Sequence, residues 1–169
     1  MKEQREKLDI YNSLREMLSY SEETGKFSWV KKIANAKVGE RAGSIASTGY
    51  RIINPSKFTG PILEHRLAWF FHYGIFPTKA IDRINRNRLD NRICNLREAS
   101  AEENSQNICK PNKNNVSGVR GVIQLKSGSF LARIYASGKN HYVGIFKSLD
   151  EAGSAYMKAK LDLHKGYVS

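Results

Sequence analysis

The sequence predicts an α+β protein of small antiparallel sheets and short helices, and three observations carry that reading. Residues 81–107 run strand, loop, strand, helix, and Ser100-Ala101-Glu102-Glu103 has the Ser-x-x-Glu form that caps a helix start. Three alternating segments, 118–124, 129–135 and 140–146, are divided by Ser-Gly turns at 127–128 and 137–138, as in an antiparallel meander. Ser148 with Glu151 forms a second capping box, and Ala152, Ala155, Tyr156, Ala159 and Leu163 behind it make an apolar stripe. One helix is therefore expected to pack across three strands.

Taken in order, Leu8, Tyr11, Leu14 and Leu18 recur at helical spacing, so an amphipathic helix is expected over 4–18, followed by a turn at 21–25. Phe27-Ser28-Trp29-Val30, Gly43-Ser44-Ile45 and Tyr50-Arg51-Ile52-Ile53 read as short strands between glycine-containing loops, giving a small α+β subdomain over 1–60. Residues 65–73 (HRLAWFFHY) are apolar and aromatic on most faces, which suits a buried helix that Gly74 and Pro77 terminate. Residues 81–84 are β-prone, 85–91 form an Asn, Arg and Asp-rich loop, Leu96-Arg97 starts the second strand, and a helix runs through Asn107. The polar stretch KPNKNN at 110–115 lacks apolar periodicity and marks a boundary. The expected organisation is 1–60, 61–110, a linker at 111–116, and a terminal domain at 117–169.

A net charge of +12 suits a phosphate-rich partner, because clustered Lys and Arg release condensed counterions on binding nucleic acid. The excess is greatest in 111–169, with 9 basic against 3 acidic residues. Cys94 and Cys109 are the only cysteines, too few for a disulfide framework or a four-cysteine zinc site, and fit a reducing compartment. No apolar run approaches the roughly 20 residues of a membrane span. The charged N-terminus does not read as a signal peptide either. A cytoplasmic protein with no membrane partner is expected.

Residues 82–107 (DRINRNRLDNRICNLREASAEENSQN), with the upstream HRLAW segment, resemble the phage-type HNH homing endonucleases. The resemblance implies a ββα-metal core over 61–110, with Asp82 and Asn104 at the two metal-ligand positions and Asn95 at the central asparagine that orders the loop. It also implies one Mg²⁺ or Mn²⁺ ion, double-stranded DNA as substrate, a monomer, and action in the cytoplasm of a bacterial host. A carboxylate and an amide oxygen are hard ligands suited to such an ion, which stabilises charge at the scissile phosphate.

Where this family places its general-base histidine the chain has Arg83. A neutral imidazole accepts a proton near neutral pH; a guanidinium does not, although it still binds phosphate. Losing a general base typically costs about 10²–10⁴ in rate. Cleavage is therefore expected to be impaired while DNA binding survives. Arg83 is either a natural loss of the base or an inactivating change in an active parent, since His and Arg codons differ by one base. His65 and His72 read as packed or hydrogen-bonded histidines, and His141 and His164 show no metal-site spacing.

Residues 117–164 resemble the apetala-two-type DNA-binding domain of plant transcription factors, through SGVRGV at 117–122, FLARI at 130–134, YVGIF at 142–146 and EAGSAY at 151–156. In that fold one sheet face packs on the helix and the other enters the major groove. The resemblance makes Arg120, Lys126 and Arg133 candidates for base or phosphate contacts, with Gln124, Lys139 and Tyr142 as further ones. Three functions follow: a homing-type endonuclease impaired in cleavage, a non-catalytic DNA-binding or regulatory protein with a degenerate core, and an RNA-binding or inhibitory protein.

Overall fold

The computed structural model describes residues 9, 11–33, 35–54 and 60–167 and shows a mixed α and β chain. The chain divides into two compact units, Met1–Ala99 and Ser100–Ser169. The division falls ahead of the polar stretch at 111–116, because residues just after Ser100 are tied to the chain's end. The Gly166 amide donates to Gln106 Oε1 at 2.8 Å, and Lys160 Nζ donates to the Ile108 carbonyl at 2.8 Å.

In the first unit residues 11–15 are helical, and a turn at 16–17 leads into β1 (Leu18–Ser21), paired antiparallel with β2 (Lys26–Trp29). The helix expected over 4–18 thus stops short of Leu18, whose side chain faces the core from a strand opposite Trp29; its start, 4–8, lies outside the described residues. A Leu14, Leu18 pair is compatible with either element, and hairpin pairing decides. Gly25 makes the turn with φ 68°, and a Cβ there would stand 2.4 Å from the Arg92 amide nitrogen, so the turn can approach that segment only as glycine.

Short strands β3 (Ser44–Ile45), β4 (Arg51–Ile53) and β5 (Ile62–Leu63) form an antiparallel sheet that hands directly into α1 (Glu64–Tyr73). Gly74 closes that helix in the left-handed conformation, its amide donating to Phe70 O at 2.9 Å. Leu67, Ala68 and Phe70 are buried, yet Tyr73 is half exposed, so α1 has a solvent face the sequence did not announce. Next, β6 (Ala80–Arg83) pairs antiparallel with β7 (Leu96–Ala99), and the intervening loop ends in a turn of 3₁₀ helix at Ile93–Asn95. Leu14, Phe27, Ile53, Leu67, Ile81 and Leu96 are the centre of one apolar core.

The second unit opens with α2 (Ala101–Asn107), where the expected capping box is complete. The Glu103 amide donates to Ser100 Oγ at 3.1 Å and the Ser100 amide to Glu103 Oε2 at 2.7 Å. Strands β8 (Val122–Gln124), β9 (Phe130–Ala136) and β10 (Lys139–Phe146) form the expected antiparallel meander in the order β10-β9-β8. Helix α3 (Leu149–Leu163) packs on it, capped by Ser148, which accepts from the Glu151 amide at 3.2 Å. Val122, Ala132, Ile134, Ala152 and Tyr156 form the core between them. The stripe differs at one end: Leu163 is exposed and Lys160 is buried, continuing the four-residue step from Ala152 and Tyr156. Lys160 tolerates burial because its ammonium meets the Ile108 carbonyl and lies 4.3 Å from the Tyr167 ring centroid.

Among the described residues no helix is long and apolar enough to cross a membrane, and Cys94 and Cys109 are both free and exposed.

Candidate functional site

The hairpin register decides what each residue near Asp82 can do. Asp82 pairs with Arg97 and Arg83 with Leu96. Successive strand residues point to opposite faces, so Asp82 and Arg83 diverge. Asp82 meets its cross-strand partner: Arg97 Nη2 and Nε donate to Asp82 Oδ2 at 2.9 and 3.1 Å. This is a charge-assisted fork on one carboxylate oxygen.

Arg83 turns to the side of Ile81 and is 6% exposed. Its Nη2 donates to Asn91 Oδ1 at 3.3 Å, and its guanidinium carbon lies 4.7 Å from the Tyr50 ring centroid. Burial pulls the guanidinium below its ordinary pKa, opposed by Tyr50 and Asp82. Arg83 belongs to a buried polar network that the sequence reading missed. Asn91 Nδ2 donates to Glu64 Oε2 at 2.6 Å, Arg41 Nη2 donates to Glu64 Oε1 at 2.7 Å, and Tyr20 Oη donates to Asn91 O at 2.7 Å. Burial raises the Glu64 carboxyl, while Arg41 and Asn91 pull it back.

His65 lies in the same region, 5.7 Å from the Tyr50 ring and 6% exposed, with no hydrogen-bond partner for Nδ1 among the described residues. Burial, with Arg83 and Arg66 nearby, drives its pKa down to about 3, so the ring is neutral at physiological pH. The other histidines are bonded: His72 to Glu22, His141 to the Ala136 carbonyl and His164 to the Tyr135 carbonyl.

Asn95 is 5% exposed and clamps the loop between β6 and β7. Its Oδ1 accepts from the Asn85 amide at 2.9 Å, and its Nδ2 donates to Asn85 Oδ1 and to the Asp90 carbonyl at 3.0 and 2.9 Å. Asp90 is held in turn by Arg92 Nε and Nη2 and by Asn85 Nδ2, and the Arg92 hydrogen bond chiefly lowers its pKa to about 2.

Asn104 stands on α2, exposed, in the second unit, whereas Asp82 belongs to the first. Asp82 as it stands suits a divalent cation poorly, since Arg97 already holds its carboxylate and Arg83 follows it in the strand. Among the described residues no cluster of three or more His, Cys, Asp or Glu side chains forms a metal site.

In the second unit the register sorts the six basic and polar candidates. Arg133 and Tyr142 are cross-strand partners on the sheet face away from α3, together with exposed Tyr135, Ile123 and Ile145. Gln124 and Lys139 end and begin their strands opposite Phe130 and Ala136, on the other parity. Lys126 sits in the β8–β9 turn, which the Gly128 amide closes on the Leu125 carbonyl. Arg120 donates through Nη1 to the Lys110 carbonyl at 3.1 Å. The aromatic and aliphatic share of the outer face was not foreseen, although strand alternation from Arg133 leads to Tyr135 directly.

Residues 63–106 match the HNH endonuclease family model, so the chain carries an HNH endonuclease domain from the end of β5 through α2. A 44-residue stretch is 46% identical to an AP2/ERF and B3 domain-containing transcription factor of Arabidopsis thaliana, covering 26% of this chain and 13% of that protein. No solved structure matches the chain.

Proposed function

We propose that this chain is a homing-type HNH endonuclease scaffold that binds double-stranded DNA and is impaired in cleaving it. The observation that supports this is the loop between β6 and β7, clamped by Asn95 inside the stretch that matches the HNH endonuclease family, with arginine at position 83, which the resemblance assigns to the general base. Arg83 cannot take a proton from water at neutral pH even with its pKa lowered by burial. The family's chemistry uses one divalent ion, Mg²⁺ or Mn²⁺, at the Asp82 and Asn104 positions; here Arg97 holds Asp82, a second obstacle to turnover.

DNA recognition is assigned to the outer face of the β8–β10 sheet, led by Arg133 and Tyr142, with Arg120, Lys126, Gln124 and Lys139 around it. The partial likeness to a plant transcription factor and the basic balance of 111–169 support this. The protein acts as a cytoplasmic monomer, in a bacterial host if a phage encodes it. Equilibrium titration of the full chain against a duplex and against RNA of matched length tests the binding. Tighter duplex binding, weakening linearly with log salt, is expected; equal or tighter RNA binding would sink the DNA assignment.

One observation favours a second reading, a non-catalytic DNA-binding or regulatory protein. Arg83 is built into the Glu64–Asn91 network on the strand face opposite Asp82, as a settled structural residue would be. The readings part on whether histidine at position 83 gives cleavage.

A further inference from the structure

The sheet of the second unit is short on one side. Strand β8 pairs with β9 only over 130–132, and the Arg133 amide adds one bond to the Gly121 carbonyl at 2.9 Å. Strand β9 runs on to Ala136 without it. Residues two apart in a strand turn their amides and carbonyls the same way, so the Tyr135 carbonyl faces the side that β8 leaves. His164, at the end of α3, meets it there through Nε2 at 2.8 Å. Beside this edge is a cavity of about 640 Å³ that lies wholly within the second unit. Glu102 and Ser105 of α2, with Arg120, Arg133, Tyr135 and His164, are among its lining residues.

His164 is the unusual member of this lining. A carbonyl only accepts, so Nε2 carries the hydrogen of the bond to Tyr135, and in the neutral ring Nδ1 is then an acceptor. The residue is 8% exposed, and Nδ1 is buried with no hydrogen-bond partner among the described residues. A buried polar atom left unpaired is costly, and a ligand N–H would satisfy it. The other groups divide by chemistry. Arg133 is exposed, and Arg120 is half-buried with one of its five N–H groups on the Lys110 carbonyl, so both bring guanidinium donors suited to phosphate. Tyr135, 62% exposed, offers a ring face on which a base can stack. The Glu102 carboxylate disfavours an anion on the α2 side, which directs a phosphate to the arginines. Ligand pockets commonly hold about 300–1,000 Å³, so a mononucleotide has room.

We propose that this cavity binds one mononucleotide unit whose base carries an N–H donor. The base donates to His164 Nδ1 and stacks on Tyr135, and the phosphate meets Arg133 and Arg120. The unit is a free nucleotide or one turned out of a nucleic-acid strand, since both present the same groups. The site requires neither cleavage nor a metal ion.

Calorimetric titration of the full chain tests this with three small probes: adenosine monophosphate, its analogue with an unsubstituted purine base, which has no N–H on the base, and inorganic phosphate. Two duplexes, one fully paired and one carrying a single unpaired adenine, separate the two sources. Adenosine monophosphate should saturate one site, with the unsubstituted analogue about tenfold weaker and phosphate weaker again. His164→Gln keeps a donor for the Tyr135 carbonyl but displaces the acceptor, so it should weaken adenosine monophosphate about tenfold and leave the analogue unchanged. Arg133→Gln should weaken both nucleotides alike. Ser105→Trp changes an exposed helix position, so it should fill the cavity and abolish binding with the melting temperature unchanged. Preference for the unpaired adenine, lost in Ser105→Trp, assigns the unit to a strand; saturable adenosine monophosphate without that preference assigns a free nucleotide. The proposal is overturned by equal affinity for the two nucleotides, by phosphate binding as tightly as either, or by binding that Ser105→Trp leaves intact, which decides the matter even where His164→Gln fails to fold. Absence of both nucleotide binding and the unpaired-adenine preference overturns it as well.

Discussion

At the scale of residues, burial turns His65 into a pH liability. Its folded pKa of about 3 lies below the ordinary value of 6.5, so the unfolded chain binds this proton first. Stability contributed by the neutral ring is present above about pH 6.5 and falls as pH drops from there toward 3, by up to about 1.4 kcal/mol per pH unit. Urea denaturation at pH 7 and pH 5 should show a smaller loss for His65→Gln than for the unaltered chain; equal losses would place the proton elsewhere. Glu64 works in the opposite sense, since its raised carboxyl favours the folded state at low pH, and comparing the two proteins isolates the histidine.

Legibility at this scale followed sequence distance. Asp82, Asn95 and Asn104 were singled out by the family resemblance of one continuous stretch, 82–107. Arg97 did not, because its role depends on the Asp82↔Arg97 register, which one residue of uncertainty in either strand would erase. Arg41, Glu64 and Asn91 lie 23 and 27 residues apart in sequence and meet only in the fold. Lys160 was left out of the apolar stripe for a related reason: a lysine reads as solvated until the carbonyl that receives it is known.

Elements with their own signals were the most readable. The Ser100 capping box, the Ser148 cap, which accepts from the Glu151 amide without the reciprocal bond of a full box being seen, the three-strand meander and the Gly74 helix stop rest on chemistry within a few residues. The end of the opening helix and the 3₁₀ turn at Ile93–Asn95 were not, since tertiary pairing sets where the helix stops and where the turn falls. Glycines of the terminal domain show how an element tolerates change. Gly118 and Gly121 both have positive φ, 74° and 77°. A Cβ at Gly118 meets open space, but at Gly121 it would stand 2.0 Å from the Tyr156 ring and 2.8 Å from the Arg133 carbonyl. Gly118→Ala should cost only the backbone term, about 1–2 kcal/mol, whereas Gly121→Ala should displace Tyr156 from the core and cost more than about 3 kcal/mol. Thermal melts of the two variants check this; similar losses would mean the α3 interface yields more easily than its packing indicates.

For the whole molecule, charge and family likeness converge on nucleic acid, and the proposed function adds that cleavage is impaired. The chain carries an HNH endonuclease domain and a basic terminal sheet; on the proposed reading Arg83 takes the place of the base, and Arg97 holds the Asp82 carboxylate that a metal-dependent cut would use. Cleavage of supercoiled plasmid with Mg²⁺ or Mn²⁺ tests that account most directly, comparing the unaltered chain, Arg83→His, and Arg83→His with Asp82→Ala. The expected result is duplex binding by all three and nicking or linearisation by Arg83→His alone. Cleavage by the unaltered chain at the rate of Arg83→His would contradict the account, and binding by all three with no cleavage would leave the non-catalytic reading in its place.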